Sequence, residues 1–115
     1  MKPKFSTYNQ GILWICEIDN EASSFNAPKN PTASTDMKKI QKLDFEKVSI
    51  REQDKDFAES KDRTLTMKVK ARYHASATTD RQVLIGNDLY DIFNVDPDTA
   101  EKEMYLYLEK VRTLT

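Results

Sequence analysis

One histidine, one cysteine, two close pairs of aspartates and three cations on alternate positions are the side chains of this 115-residue sequence whose type or spacing points to chemistry. His74 is the natural proton carrier or metal ligand near neutral pH. It has no second histidine with which to share a metal, and it follows an alternating segment at its polar exit, which reads as an exposed strand-end residue. Cys16 could serve as a nucleophile if the fold brought it to His74. It lies within the apolar run Gly11–Ile18, and an apolar setting keeps a thiol protonated and inert. Asp54-Lys55-Asp56 and Asp96-Pro97-Asp98 resemble fragments of calcium loops, but neither has the glycine and further oxygen ligands of a complete loop, so solvated turns account for both. Gly11 and Gly86 are the only glycines and stand too far apart to cradle a phosphate. These residues point to no catalytic group, no cofactor and no metal.

Lys68, Lys70 and Arg72 are the remaining candidates, since alternate positions of a strand share one face. A small barrel with a cationic face and surface aromatics can bind single-stranded nucleic acid. The chain as a whole has 18 basic against 19 acidic residues, a balance that gives no long-range field to draw in a polyanion. The strip therefore reads first as a solvated or partner-facing strand face, and oligonucleotide binding stands as an alternative.

The elements that must position these groups are mostly strands. Leu65, Met67, Val69, Ala71 and Tyr73 alternate with Thr66, Lys68, Lys70 and Arg72, the period of a strand with one buried face. Gln82–Ile85, then Gly86-Asn87-Asp88, then Leu89–Val95 reads as a strand, a tight turn and a strand. Asp96–Thr99 is a second turn, and Glu103–Val111 a closing strand with Met104, Leu106 and Leu108 on one face and Tyr105 and Tyr107 on the other. Gly11–Ile18 is apolar on both faces, and Leu43–Ile50 is a further strand. Asp36–Leu43 has the composition of a short helical turn capped by Thr35 or Asp36. Residues 20–43, with Pro28 and Pro31, and 52–63, almost wholly charged, read as flexible loops. About six short strands joined by turns predict a single all-β domain over 1–115, a small barrel or sandwich with long polar loops and one short helix. No apolar stretch approaches the roughly 20 residues that span a bilayer, and the start Met1-Lys2-Pro3-Lys4 lacks the apolar centre of a secretory signal. A soluble protein made in a cytoplasm is expected.

Arg51–Val111 resembles the head–tail joining proteins of long-tailed bacteriophages, the head-closure or stopper subunits of the connector. The pieces that carry the resemblance are an arginine-ended strand, a polar loop, Leu65-Thr-Met-Lys-Val-Lys-Ala-Arg72, Thr79–Asp98 and Met104-Tyr-Leu-Tyr-Leu108, with Tyr90-x-Ile92-x-x-Val95 after a glycine turn the most characteristic. The first half matches in general character only. Two features depart from the family's pattern: its tryptophan–alanine strand is absent unless Trp14 stands in for it, and the segment after residue 19 is long and proline-bearing. The resemblance implies a structural virion protein at the head–tail interface, made in the bacterial host. It implies a homo-oligomeric ring of about twelve copies that docks below the portal and its adaptor, closes the DNA-filled capsid without reading DNA sequence, and offers a surface to the tail. It also implies that Glu52, Asp54, Lys55, Asp56, Phe57, Glu59, Lys61, Asp62 and Arg63 form a channel-lining or ring-contact loop; their near-neutral mixture would not hold DNA, and a merely solvated loop has the same composition. A tail-completion subunit is the sister reading.

Overall fold

The computed structural model describes residues 11–18, 37–98, 100 and 102–114. Its regular elements are β1 (Gly11–Ile18), β2 (Met37–Val48), α1 (Glu52–Ser60), β3 (Met67–Arg72), β4 (Gln82–Ile85), β5 (Asp88–Pro97) and β6 (Glu103–Thr113). The six strands pair antiparallel throughout and close into a barrel in the order β1-β2-β3-β6-β5-β4. Closure comes from Trp14↔Leu84, Ile15↔Val83 and Cys16↔Gln82, which join β1 to β4 and leave no open sheet edge. The protein is thus the small all-β barrel with one short helix that its strand pattern predicts.

Inward-facing residues of every strand fill the barrel: Leu13 and Ile15, Leu43 and Phe45, Val69 and Ala71, Val83, Tyr90 and Ile92, and Met104, Leu106 and Leu108. Two smaller apolar clusters lie against the outside. Cys16, Met37, Leu84, Leu89 and Leu114 gather beside Trp14, and Ala58, Phe93 and Tyr107 gather beneath the helix. The alternation of side chains across each strand makes these outer layers possible. Ile15 and Cys16 of β1, Val83 and Leu84 of β4, and Ile92 and Phe93 of β5 are neighbours that fall in different clusters, as side chains alternating across a strand do.

Three expectations need correction. Met37–Leu43 is not a helical turn but the first part of β2, because β1 lies opposite along its length, from Ile18↔Met37 to Gly11↔Phe45. Ladder pairing with a strand distant in sequence outweighs the helical leaning of Met-Lys-Lys. The polar segment 20–43 is consequently a strand from residue 37 onward, and residues 19–36, with Thr35 and Asp36, lie outside those described. Residues 52–63 are not a flexible loop, since Glu52–Ser60 is helical and packed on the barrel. Among the described residues no helix is long and apolar enough to cross a membrane.

Gly86 has φ +61 at the first position of the two-residue β4–β5 turn, where a side chain is disfavoured. Gly11 has φ +154 and sits against the Phe45 ring, 3.0 Å from where a Cβ would lie. Gly11→Ala is therefore expected to lower stability by about 1–2 kcal/mol, read from the urea midpoint; an unchanged midpoint would mean that the Phe45 ring moves aside freely.

Candidate functional site

The only helix among the described residues is fastened to the outer wall of β3, β6 and β5, and the candidate residues of 52–63 and of the β3 face meet there. A nine-residue helix of this composition is marginal alone; what holds it is the stripe Asp54, Phe57 and Ala58, spaced three and four apart on one side. Ala58 packs with Phe93 and Tyr107, and the Phe57 ring meets Tyr107 edge-on at 5.7 Å.

Asp54 is the polar member of that stripe and is only 7% exposed. Its Oδ2 accepts the backbone N–H of Arg51 at 2.9 Å and the Lys68 ammonium at 3.1 Å, while its Oδ1 accepts the Tyr107 hydroxyl at 3.2 Å. The first of these closes the helix N-terminus, an acidic third residue answering the N–H that precedes the helix. Lys68 Nζ also lies 5.2 Å from the Tyr105 ring centre and 5.0 Å from that of Tyr107. Burial alone would raise the Asp54 pKa, but the Arg51 amide, Lys68 and Tyr107 outweigh it and hold the carboxyl below its usual value. For Lys68, burial works downward and is likewise outweighed, chiefly by the bond to Asp54, so its pKa stands above that of an ordinary lysine. Burial pushes the Tyr107 hydroxyl up.

The far end of the segment is fixed as well. Arg63 N–H donates to Ala58 O at 2.9 Å and Asp62 N–H to Glu59 O at 3.0 Å, the two crossed bonds that end a helix through a left-handed residue. That residue is Asp62, at φ 56. Beyond it the Arg63 guanidinium donates to Glu109 at 2.7 Å and to Asp91 at 3.3 Å and lies 6.0 Å from the Phe93 ring centre. Lys61 Nζ stands 5.2 Å from the Phe57 ring, while Glu52, Lys55, Asp56 and Glu59 point to solvent.

The cationic face of β3 is correspondingly not an open strip. Lys68 is held by Asp54, Lys70 faces Glu46 at 3.8 Å, and Arg72, exposed, pairs in register with Glu103. A cleft of about 460 Å³ opens beside Lys68, lined by Val48, Arg51, Asp54, Asp96, Tyr105 and Tyr107 among others. Its lining holds two carboxylates, Asp54 and Asp96, and two cations, Arg51 and Lys68. Tyr107 and Glu109 are the partners that the sequence reading left unassigned; the stripe at 54, 57 and 58 is the signal that a helix would need a partner wall.

The remaining chemistry-bearing groups are engaged separately. Cys16 is fully buried and its Sγ contacts the Gln82 carbonyl at 3.6 Å; burial pushes the thiol up to about 12 despite the nearby Lys39. His74 turns to Ser76, whose backbone N–H donates to its Nδ1 at 3.1 Å and whose Oγ lies at 2.7 Å. Asp98 accepts the Lys102 N–H at 2.8 Å, as a turn-forming aspartate does. Among the described residues no three His, Cys, Asp or Glu side chains stand together as a metal site would require.

Two predictions follow from the fastening of α1. Asp54, with its folded-state pKa lowered, contributes stability that is complete above the unfolded carboxylate value of about 3.9 and lost as pH falls through the lower folded value. Lys68, with its pKa raised, contributes stability that is complete below about 10.4 and lost as pH climbs through the folded value. Asp54→Asn is therefore expected to cost about 2–3 kcal/mol at neutral pH and to flatten the acid limb of a stability–pH curve; an acid limb identical to wild type would show that other carboxylates set it. Asp62→Gly, which relieves a left-handed aspartate, is expected to add about 0.5–1 kcal/mol in urea unfolding.

No family model matches the chain, and no curated protein matches it.

Proposed function

We propose that this chain is a structural subunit of a bacteriophage head–tail connector, a ring component that closes the DNA-filled head and receives the tail. The observation that carries the reading is the fastening of residues 52–63 to the barrel wall at both ends, by Asp54 to Lys68 and Tyr107 and by Arg63 to Asp91 and Glu109. In the resembling proteins this stretch is the channel or ring-contact segment. Here it is a helix held rigidly enough to form a contact surface, with its charged side turned outward. The closed barrel supports the same role, because a ring subunit needs a stiff body whose walls, not whose edges, meet its neighbours. The catalytic candidates Cys16 and His74 are each occupied by local partners, in keeping with an assembly role in which no bond is made or broken.

Oligonucleotide binding loses its main support, since two of the three cations proposed for it face carboxylates. A tail-completion subunit would use similar ring geometry, and the same experiment separates it. Deleting the gene from the phage that carries it is expected to yield free tails beside heads that packaged DNA and failed to keep it, seen by electron microscopy of the lysate. Malformed tails beside stable full heads would indicate tail completion, and intact virions would reject both.

A further inference from the structure

The wall formed by β1 and β2 carries an order of charges that fits its own reverse. Leu43 and Phe45 point into the barrel, so Lys42, Asp44 and Glu46 point out. Lys39 points out with them, since its Nζ lies 5.0 Å from the Trp14 ring centre and it lines one cleft with Lys42. The register with β1 sets their spacing. Lys39 stands opposite Cys16, Lys42 opposite Trp14 and Asp44 opposite Ile12, because an irregularity in the ladder lets three steps of β2 match two of β1. Glu46 follows two residues on. The row is therefore two cations and then two carboxylates, at even intervals of roughly 7 Å. Among the described residues neither Lys42 nor Asp44 has an ion-pair partner, and Glu46 faces Lys70 at a loose 3.8 Å. Beside the row β1 presents Ile12 and the partly buried Trp14, in a cleft of about 380 Å³ that Leu84 also lines. Ile12 is 45% exposed, more than any other large apolar side chain described.

We infer that this wall is a two-fold contact with a second copy of the chain. Reversing the row end to end exchanges every cation for a carboxylate. A two-fold axis running across the strands between Lys42 and Asp44 sets Lys42 against Asp44 of the second copy and Lys39 against its Glu46, each pair occurring twice. The same axis passes between Ile12 and Trp14, so each isoleucine lies on the other copy's indole and enters the cleft beside it. Stacked twisted sheets cross at about 30°, which displaces the ends of the row by roughly 5 Å, within reach of lysine and glutamate side chains. An unrelated partner has to match an order that reads oppositely from its two ends, whereas a second copy matches it by construction. Exposed ion pairs contribute little singly, and a wall two strands wide falls below the size of a standard interface. The dimer is accordingly weak, dependent on Ile12 and loosened by salt. This contact goes beyond the head–tail reading and does not rest on it, since it uses neither α1 nor Arg63.

The test follows the full-length chain by sedimentation velocity over a concentration series at low salt. Trp14 is the only tryptophan, so its emission reports directly on the covered wall. Wild type should pass from monomer to dimer with a blue shift in that emission, and added salt should reverse both. Lys42→Asp and Asp44→Lys each bring like charges together twice, and each should dimerise on the order of tenfold or more weakly. The exchange Lys42→Asp/Asp44→Lys within one chain should restore the dimer, because reversed charges still meet their opposites across a two-fold axis. An equal mixture of the two single variants should likewise pair with each other, a rescue that misfolded chains cannot give. A wild type that stays monomeric at millimolar concentration, a single reversal that dimerises like wild type, or an exchange as weak as its parents overturns the inference. The gene deletion judges the head–tail reading separately, so a wall that fails to pair leaves that reading standing, and a harmless deletion removes it whatever the dimer does.

Discussion

The pairing of β1 with β4 over Trp14, Ile15 and Cys16 is short, yet it turns a six-strand sheet into a closed wall and so determines what every other segment must do. A closed wall has an inside, filled by one side chain from every second position, and an outside that strands of this length cannot leave wholly apolar. The chain answers with apolar residues at adjacent positions of β1, β4 and β5, which strand alternation turns to different layers. Phe93 is thereby placed outside while Ile92 stays in, and an apolar patch forms on the wall where the helix settles.

Asp54 then determines where on that wall the helix sits. Phe57 and Ala58 supply the apolar contact but would tolerate sliding by a fraction of a turn, because dispersion and hydrophobic burial are weakly directional. A buried carboxylate does not tolerate it, since moving Asp54 away from Lys68 and Tyr107 would leave two charges and a hydroxyl without partners in a poorly solvated place. The ion pair therefore contributes position more than net stability. The same position turns Glu52, Asp56 and Glu59 outward.

What the sequence makes legible is local. The alternation through Met67–Arg72 and the aliphatic–tyrosine alternation of Met104–Leu108 each announce a strand, Gly86 announces the tight turn between two more, and each is found. What it conceals depends on partners far along the chain. Met37–Lys42 has no period of two, and only the presence of β1 makes it a strand. Glu52–Ser60 hides its buried stripe because one of the three residues is an aspartate, whose burial makes sense only when Lys68 and Tyr107 are in place. Lys68 and Lys70 were readable as sharing a face, but not as facing Asp54 and Glu46, which come from other elements.

The burial of Cys16 has a use at the bench. With its thiol pushed up to about 12 and no exposed surface, Cys16 is almost wholly protonated near neutral pH. Maleimides and iodoacetamides need the thiolate, so the native protein is close to silent toward them. A cysteine placed on the surface can be labelled selectively without first removing the natural one, and fluorophores or spin labels can be attached to a barrel whose wall remains untouched. Slow labelling of Cys16 itself then becomes a clock for the opening of β1 from β4.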